Sequence, residues 1–257
     1  MIRGLLLDLA GVLYDGGRAI DGSVDAIARL VDAGLPIRVI TNSTRKPRRL
    51  LLQRLAEMGF EIDADQLFTP ASAARAVLAE SGRAAHLLIH PDLVEDFADI
   101  PQSGAEISVV VGDAAEYFTY DAMNAAFRAL DAGANLLALA NNRSFSDADG
   151  ALSIDMGAYV AALEYASGQT ATVLGKPAPG FFKAALASMG ISAAEAVMIG
   201  DDAEADVAGA LSAGFGQAIL VRTGKYRDGD ESNVTPAPDF IAADLVEAVE
   251  RVLAGRS

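Results

Sequence analysis

Asp8 closes an apolar run, GLLLD, and Gly11 follows three residues later, so one carboxylate is delivered to the end of a strand beside a backbone free to turn. A carboxylate in that position can attack phosphorus to form an aspartyl-phosphate, provided the charges on both reactants are neutralised. Mg²⁺ is the natural neutraliser, taking a few carboxylates, carbonyls, waters and the substrate phosphate. A second acid lies at another such run, AVMIGD, where Asp201 could supply the second carboxylate. Asp206, five residues on, falls in the first turn of the next helix, placed to hold a metal-bound water. Helix capping is the competing reading of GDDAEAD, since Asp201 and Glu204 have capping-box spacing. Asp8 at a comparable strand end favours the metal.

Two further strand ends carry polar chemistry. Thr41, Asn42 and Ser43 in TNST offer hydroxyls and amides to a phosphoryl group ahead of the basic stretch RKPRR, residues 45–49. Cations in a first turn oppose the helix dipole unless an anion sits there; alternatively Ser43 or Thr44 is an ordinary N-cap and the arginines a solvated face. Lys176, between Gly175 and Pro177, is a point charge on a stiff loop, suited to a transferring phosphoryl group.

Parallel strands joined by helices position residues in this way. Short Val, Ile and Leu runs alternate with helix-period stretches predicted over 24–33, 47–58, 71–80, 120–132, 157–167, 180–189, 204–213 and 244–253. Strands are predicted in GLLLDL, PIRVIT, HLLIH, ISVVVG, NLLALA, TATVLG, AVMIGD, QAILVRT and DFIAA. The fold class is therefore α/β, a doubly wound, mostly parallel, Rossmann-like sheet that binds ligands beyond the carboxyl ends of its strands. The chemical residues cluster in 1–70 and 175–257, the two parts of a core, and 71–174 reads as an inserted smaller α/β cap domain.

At 257 residues and 52% apolar, the chain is long enough for a sizeable core and has globular composition. It has no cysteine, which excludes disulfides and thiolate chemistry, and a net charge of −15, which opposes general nucleic-acid binding. No apolar stretch approaches the ~18 residues that span a bilayer. The expectation is a cytoplasmic protein without nucleic-acid or membrane partners.

Taken in order, DLAGVLYDG, ITNST, GKPAP and MIGDDAEAD resemble the four motifs of the haloacid-dehalogenase-like hydrolases, over essentially the whole chain. A cap between the second and third motifs is similar to one subfamily of these enzymes. The resemblance implies that Asp8 is the nucleophile and that Mg²⁺ is held by Asp8, the backbone carbonyl of Ala10 and Asp201, with Asp206 and Asp202 behind those ligands. It implies that Thr41, Asn42 and Ser43 bind phosphoryl oxygens and that Lys176 pairs with Asp8 and the phosphate. It also implies that the loop over 141–156 contributes to substrate choice, and by resemblance alone a homodimer through the cap is expected.

Ala10 departs from that pattern, because most phosphatases of the superfamily carry a second Asp there to protonate the leaving group and then activate water. Its carbonyl can still bind metal. Subfamily members with small polar residues at that position share the absence, so it does not by itself imply a dead enzyme. Without a general acid, an alkoxide is an expensive leaving group, whereas an imidazole with pKa near ~6.5 or a phosphate with second pKa near ~6 leaves readily. Pyrophosphate, phosphoramidates and aryl phosphates are therefore the expected small phosphorylated substrates. Asp202 and Asp15 are candidates, on position, for the base that hydrolyses the intermediate. A catalytically weakened phosphate-binding or regulatory protein is the alternative. A phosphonoacetaldehyde-hydrolase-like reading is disfavoured, because that chemistry needs a cap lysine between the first two motifs and no lysine precedes Lys46 or lies between it and Lys176.

Overall fold

The computed structural model describes residues 2–146 and 151–255. The chain divides into two compact units, one formed by Met1–Thr41, Leu51–Phe68 and Lys176–Ser257, the other by Asn42–Leu50 and Thr69–Gly175.

The first unit is built on a six-stranded sheet, in the order Phe240–Ala242, Gln217–Val221, Ala196–Gly200, Gly4–Asp8, Ile37–Ile40, Leu67–Phe68. Every neighbouring pair is parallel. The central strands Gly4–Asp8 and Ala196–Gly200 are buried at every residue, which is why they are continuous apolar runs and not alternating ones. From Gly4–Asp8 the chain winds to one side, through Ile37–Ile40 to Leu67–Phe68; it later returns at Ala196–Gly200 and winds to the other. The switch point thus falls between the strands that end at Asp8 and just before Asp201, with Leu7 paired to Ile199.

Helices cover this sheet through apolar stripes at helical spacing. Ser23–Asp32 buries Ser23, Ala26, Ile27 and Leu30, and Leu245–Ala254 buries Leu245, Ala248, Val249 and Val252. Both stripes join one hydrophobic cluster with Leu5, Leu7, Val39 and Ile199. Elsewhere in the unit Phe182 stacks edge-on against Phe181 and Phe215, with ring centroids 5.9 and 5.5 Å apart.

The second unit has its own four-stranded parallel sheet, ordered Thr172–Val173, Asn135–Ala138, Ile107–Val111, Ala84–Leu88. It also contains the helices Pro70–Ser81, Tyr120–Asp131 and Gly157–Ser167. Thr69 caps the first of these, its hydroxyl accepting the Ser72 N–H. A small antiparallel pair, Ser144–Ser146 with Leu152–Ile154, occupies the segment expected as a loop over 141–156, and residues 147–150 of that segment lie outside the described ones.

The α/β class is as the apolar runs imply, with local differences. The HLLIH strand runs two residues earlier, over Ala84–Leu88, and His90 instead caps the 3₁₀ turn Pro91–Phe97 by accepting the Asp92 N–H at Nδ1. The helix expected from 47 starts well beyond Ser43 and Thr44. It begins at Arg48, whose N–H donates to the Asp96 carboxylate at 3.1 and 3.2 Å.

Leu30 is fully buried between helix and sheet. Leu30→Ala is expected to lower the unfolding free energy by about 3 kcal/mol, seen as a lower urea midpoint at unchanged denaturant slope.

Candidate functional site

The carboxyl edge of the six-stranded sheet collects the acids. Asp8, Asp201 and Asp206 are each buried, and one ligand atom of each lies within 4.8 Å of the others. Lys176 is buried among them. Its ammonium donates to Asp8 Oδ1 in a short bond and to Asp206 Oδ1 at 2.6 Å. Thr41 is buried just past the adjacent strand Ile37–Ile40.

The backbone after each strand holds these side chains in place. Gly11, at φ 87°, has its N–H on the Tyr14 carbonyl at 2.7 Å and its own carbonyl on the Thr223 hydroxyl. A side chain at Gly11 or at Gly224, φ 66°, would collide with the Asp201 carboxylate, so glycines wall that acid on two sides. Asp201 Oδ2 accepts the Lys225 N–H at 2.7 Å. Gly200 plays the same part for Asp206, whose carboxylate would meet any Cβ there.

GDDAEAD resolves its two readings residue by residue. Capping falls to Asp202, whose Oδ1 accepts the Glu204 and Ala205 N–H groups at 3.1 and 2.9 Å, and so Asp201 is not the cap. The turn that follows, Ala203–Ala208, is π-helical, with both Asp206 N–H and Val207 N–H on the Asp202 carbonyl. It brings Asp206 back over the strand, where Oδ1 receives Lys176 and Oδ2 receives the Asp202 N–H at 3.2 Å.

Three carboxylates against one fully buried ammonium leave this site short of positive charge. Burial pushes Asp8 up despite Lys176, pushes Asp201 to about 6 against the opposing Lys225 N–H, and pushes Asp206 to about 7 against Lys176. Burial disfavours the charged form of Lys176, but Asp206 and Asp8 outweigh it and hold the ammonium protonated well above the usual lysine range. Hard oxygen donors with surplus negative charge fit a divalent cation of the Mg²⁺ type. Asp206 has both oxygens engaged, which leaves Asp8 and Asp201 better placed as direct ligands.

The remaining candidates are placed as follows. Ala10 is exposed, its backbone bridged to Tyr14, with a methyl group where an acid would stand. Asp15 is exposed on the hairpin of Tyr14–Asp15 and Arg18–Ala19. Although burial alone would raise Asp202, the capping Ala205 N–H and Lys225 hold it below the usual carboxylate range, which makes it a weak base. Asn42 and Ser43 belong to the second unit. There two of the RKPRR arginines are paired with acids: Arg45 is forked onto Asp113, and Arg49, exposed, pairs with Glu95 at 3.3 Å. Sequence reasoning gave no role to Thr223, Gly224 and Lys225, although they follow the strand Gln217–Val221.

A doubly wound sheet with an aspartate, two further acids and a buried lysine gathered at its switch point is a framework suited to binding and hydrolysing phosphorylated compounds. The comparison with known families agrees, and the chain belongs to the haloacid dehalogenase-like hydrolases and is a phosphatase of that superfamily: that family's model matches residues 5–100, and a HAD-hydrolase-like model matches 173–248. It is 43% identical over 261 residues to the phospholysine phosphohistidine inorganic pyrophosphate phosphatase of Danio rerio, covering 99% of this chain and 96% of that protein. Among solved structures, the p-nitrophenyl phosphatase from Archaeoglobus fulgidus is similar with a TM-score of 0.86 at 25% identity, covering 97% of this chain and 99% of that one. A glycerol phosphate phosphatase from Mycobacterium tuberculosis in complex with magnesium has a TM-score of 0.80 at 25% identity, covering 95% of this chain and 75% of that one.

In metal-free buffer, Lys176→Met is expected to lower the unfolding free energy by about 3 kcal/mol, because it strands buried carboxylates without their cation. Adding Asp8→Asn should recover part of that loss, and urea titration of the four variants of this cycle measures the coupling.

Proposed function

We propose that this phosphatase is Mg²⁺-dependent and works through an aspartyl-phosphate on Asp8, acting on small phosphorylated compounds with good leaving groups. The observation that carries the reading is the buried Asp8 carboxylate, hydrogen-bonded by Lys176 and grouped with Asp201 and Asp206 at the switch point of the sheet.

Asp8 and Asp201, with the backbone carbonyl of Ala10, would hold Mg²⁺, which supplies charge neutralisation for a phosphoryl group approaching a carboxylate. Lys176 keeps Asp8 ionised and oriented, and its ammonium offers charge to the transferring group. An oxygen of the Asp8 carboxylate attacks phosphorus, forming the O–P bond as the bond to the leaving group breaks with its electron pair. Thr41, Asn42 and Ser43 hold phosphoryl oxygens during transfer; Asn42 follows Thr41 directly in the chain. Water then attacks phosphorus as the bond between Asp8 and phosphorus breaks with its electron pair on the carboxylate, and the proton that water loses passes to a phosphate oxygen or bulk solvent as inorganic phosphate leaves. Asp206 and Asp202 act behind this centre, Asp206 by fixing Lys176 and Asp202 by capping the turn that carries Asp206.

The methyl group of Ala10 cannot donate a proton to the leaving group, which restricts good substrates to those whose leaving atom needs little help. Pyrophosphate, phosphoramidates such as phosphohistidine and phospholysine, and aryl phosphates meet that condition. The similarity to a phospholysine phosphohistidine inorganic pyrophosphate phosphatase supports the same set.

Phosphate release from pyrophosphate, phospholysine and p-nitrophenyl phosphate is expected with Mg²⁺ and should vanish on chelation. Asp8→Asn should abolish turnover and leave the circular dichroism spectrum unchanged. Silence of the native chain across this panel, with no trappable aspartyl-phosphate, returns it to phosphate binding without turnover.

Ala10→Asp restores a proton donor and is expected to raise kcat/KM for an alkyl phosphate relative to pyrophosphate by roughly a hundredfold, within the usual range of general acid catalysis. An unchanged ratio in initial-rate assays removes the leaving-group argument.

A further inference from the structure

Residues 42–50 are separated in sequence from the rest of the second unit but are seated on it at several independent points. At Gly175 a side chain would meet Asn42 Oδ1 at 2.8 Å, so a glycine makes room for that amide. At Gly112 a side chain would press on the Thr44 carbonyl at 3.1 Å. Immediately after Gly112, Asp113 receives Arg45 through two hydrogen bonds, Nε to Oδ2 at 2.9 Å and Nη2 to Oδ1 at 3.1 Å. Asp113 is itself held from behind, because Oδ1 also accepts the Ala115 N–H at 3.0 Å, and Ala115 takes up a left-handed φ of 49° that an alanine rarely adopts. A planar guanidinium forked onto a carboxylate that its own backbone has oriented is a geometric clamp, where a single-point ion pair would leave rotation free.

We propose that Asp113 is a positioning residue for the phosphatase reaction: by clamping Arg45 it fixes the backbone of residues 42–45, and with it the Asn42 and Ser43 groups that hold the phosphoryl oxygens. The inference rests on the reading of Asn42 and Ser43 given above. The Arg49–Glu95 pair on the same segment is exposed on both sides, 64% and 41%, and engages the carboxylate through Nε alone, 3.3 Å from each oxygen, so it serves as the internal control.

The test compares Asp113→Asn, Arg45→Lys, the double variant and Glu95→Ala, with p-nitrophenyl phosphate as substrate and inorganic phosphate as inhibitor. Asp113→Asn keeps an acceptor for the Ala115 N–H, and Arg45→Lys keeps the charge but not the fork. Each single variant is expected to raise KM and the phosphate inhibition constant on the order of tenfold, with a much smaller change in kcat. The double variant should be no worse than either single one, and Glu95→Ala should match the parent. Hydrogen exchange of the amides in 42–45 should quicken in Asp113→Asn and not in Glu95→Ala. Unchanged KM and phosphate inhibition in a normally folded Asp113→Asn overturn the proposal, as does a loss of thermal stability with unaltered KM. If the native chain turns over nothing, the functional reading above has failed, and the exchange rates of 42–45 alone decide whether Asp113 anchors the segment.

Discussion

The ammonium of Lys176 is the interaction on which the rest of the site depends. Without it, Asp8 and Asp206 would be two desolvated carboxylates close together, each driven to take up a proton. The ammonium opposes that drive at both acids, donating to one oxygen of Asp8 and one of Asp206. The pairing is not there for stability, since apolar residues of the same volume would serve a core at least as well. It makes sense as preorganisation, in which folding energy from buried runs such as Leu5–Leu7 is spent holding charge where a reaction will need it.

Much of this arrangement was legible in the residues alone. Uninterrupted apolar strands announce a parallel sheet buried on both faces, and such a sheet exposes chemistry only where its strands stop; Asp8 and Asp201 follow that logic, whereas Lys176 comes after Thr172–Val173, a short strand of the other sheet. Asp206 needed only the helix that had to follow.

What was not legible shares a physical character. The loop of Thr223 to Lys225 acts through a hydroxyl on a carbonyl, a backbone N–H and a glycine, and the last two carry no distinctive side-chain signature. The capping role lay one residue away, at Asp202 rather than Asp201, because propensity cannot tell adjacent aspartates apart. The membership of 42–50 in the second unit depends on partners at Glu95, Asp96 and Asp113, dozens of residues distant, and local patterns cannot report such pairings. Strands of two or three residues, such as Leu67–Phe68, are too short to show any period.

The π-helical turn over Ala203–Ala208 has a consequence for how this motif can change over time. An α-helix advances by about 100° per residue, so the orientation of Asp206 depends on the number of residues between it and its cap as much as on their identity. Exchanges at Glu204 or Ala205 leave that count intact. The loss of one residue would tighten the turn and swing the carboxylate away from Lys176, so the spacing of this loop is under stricter constraint than its composition.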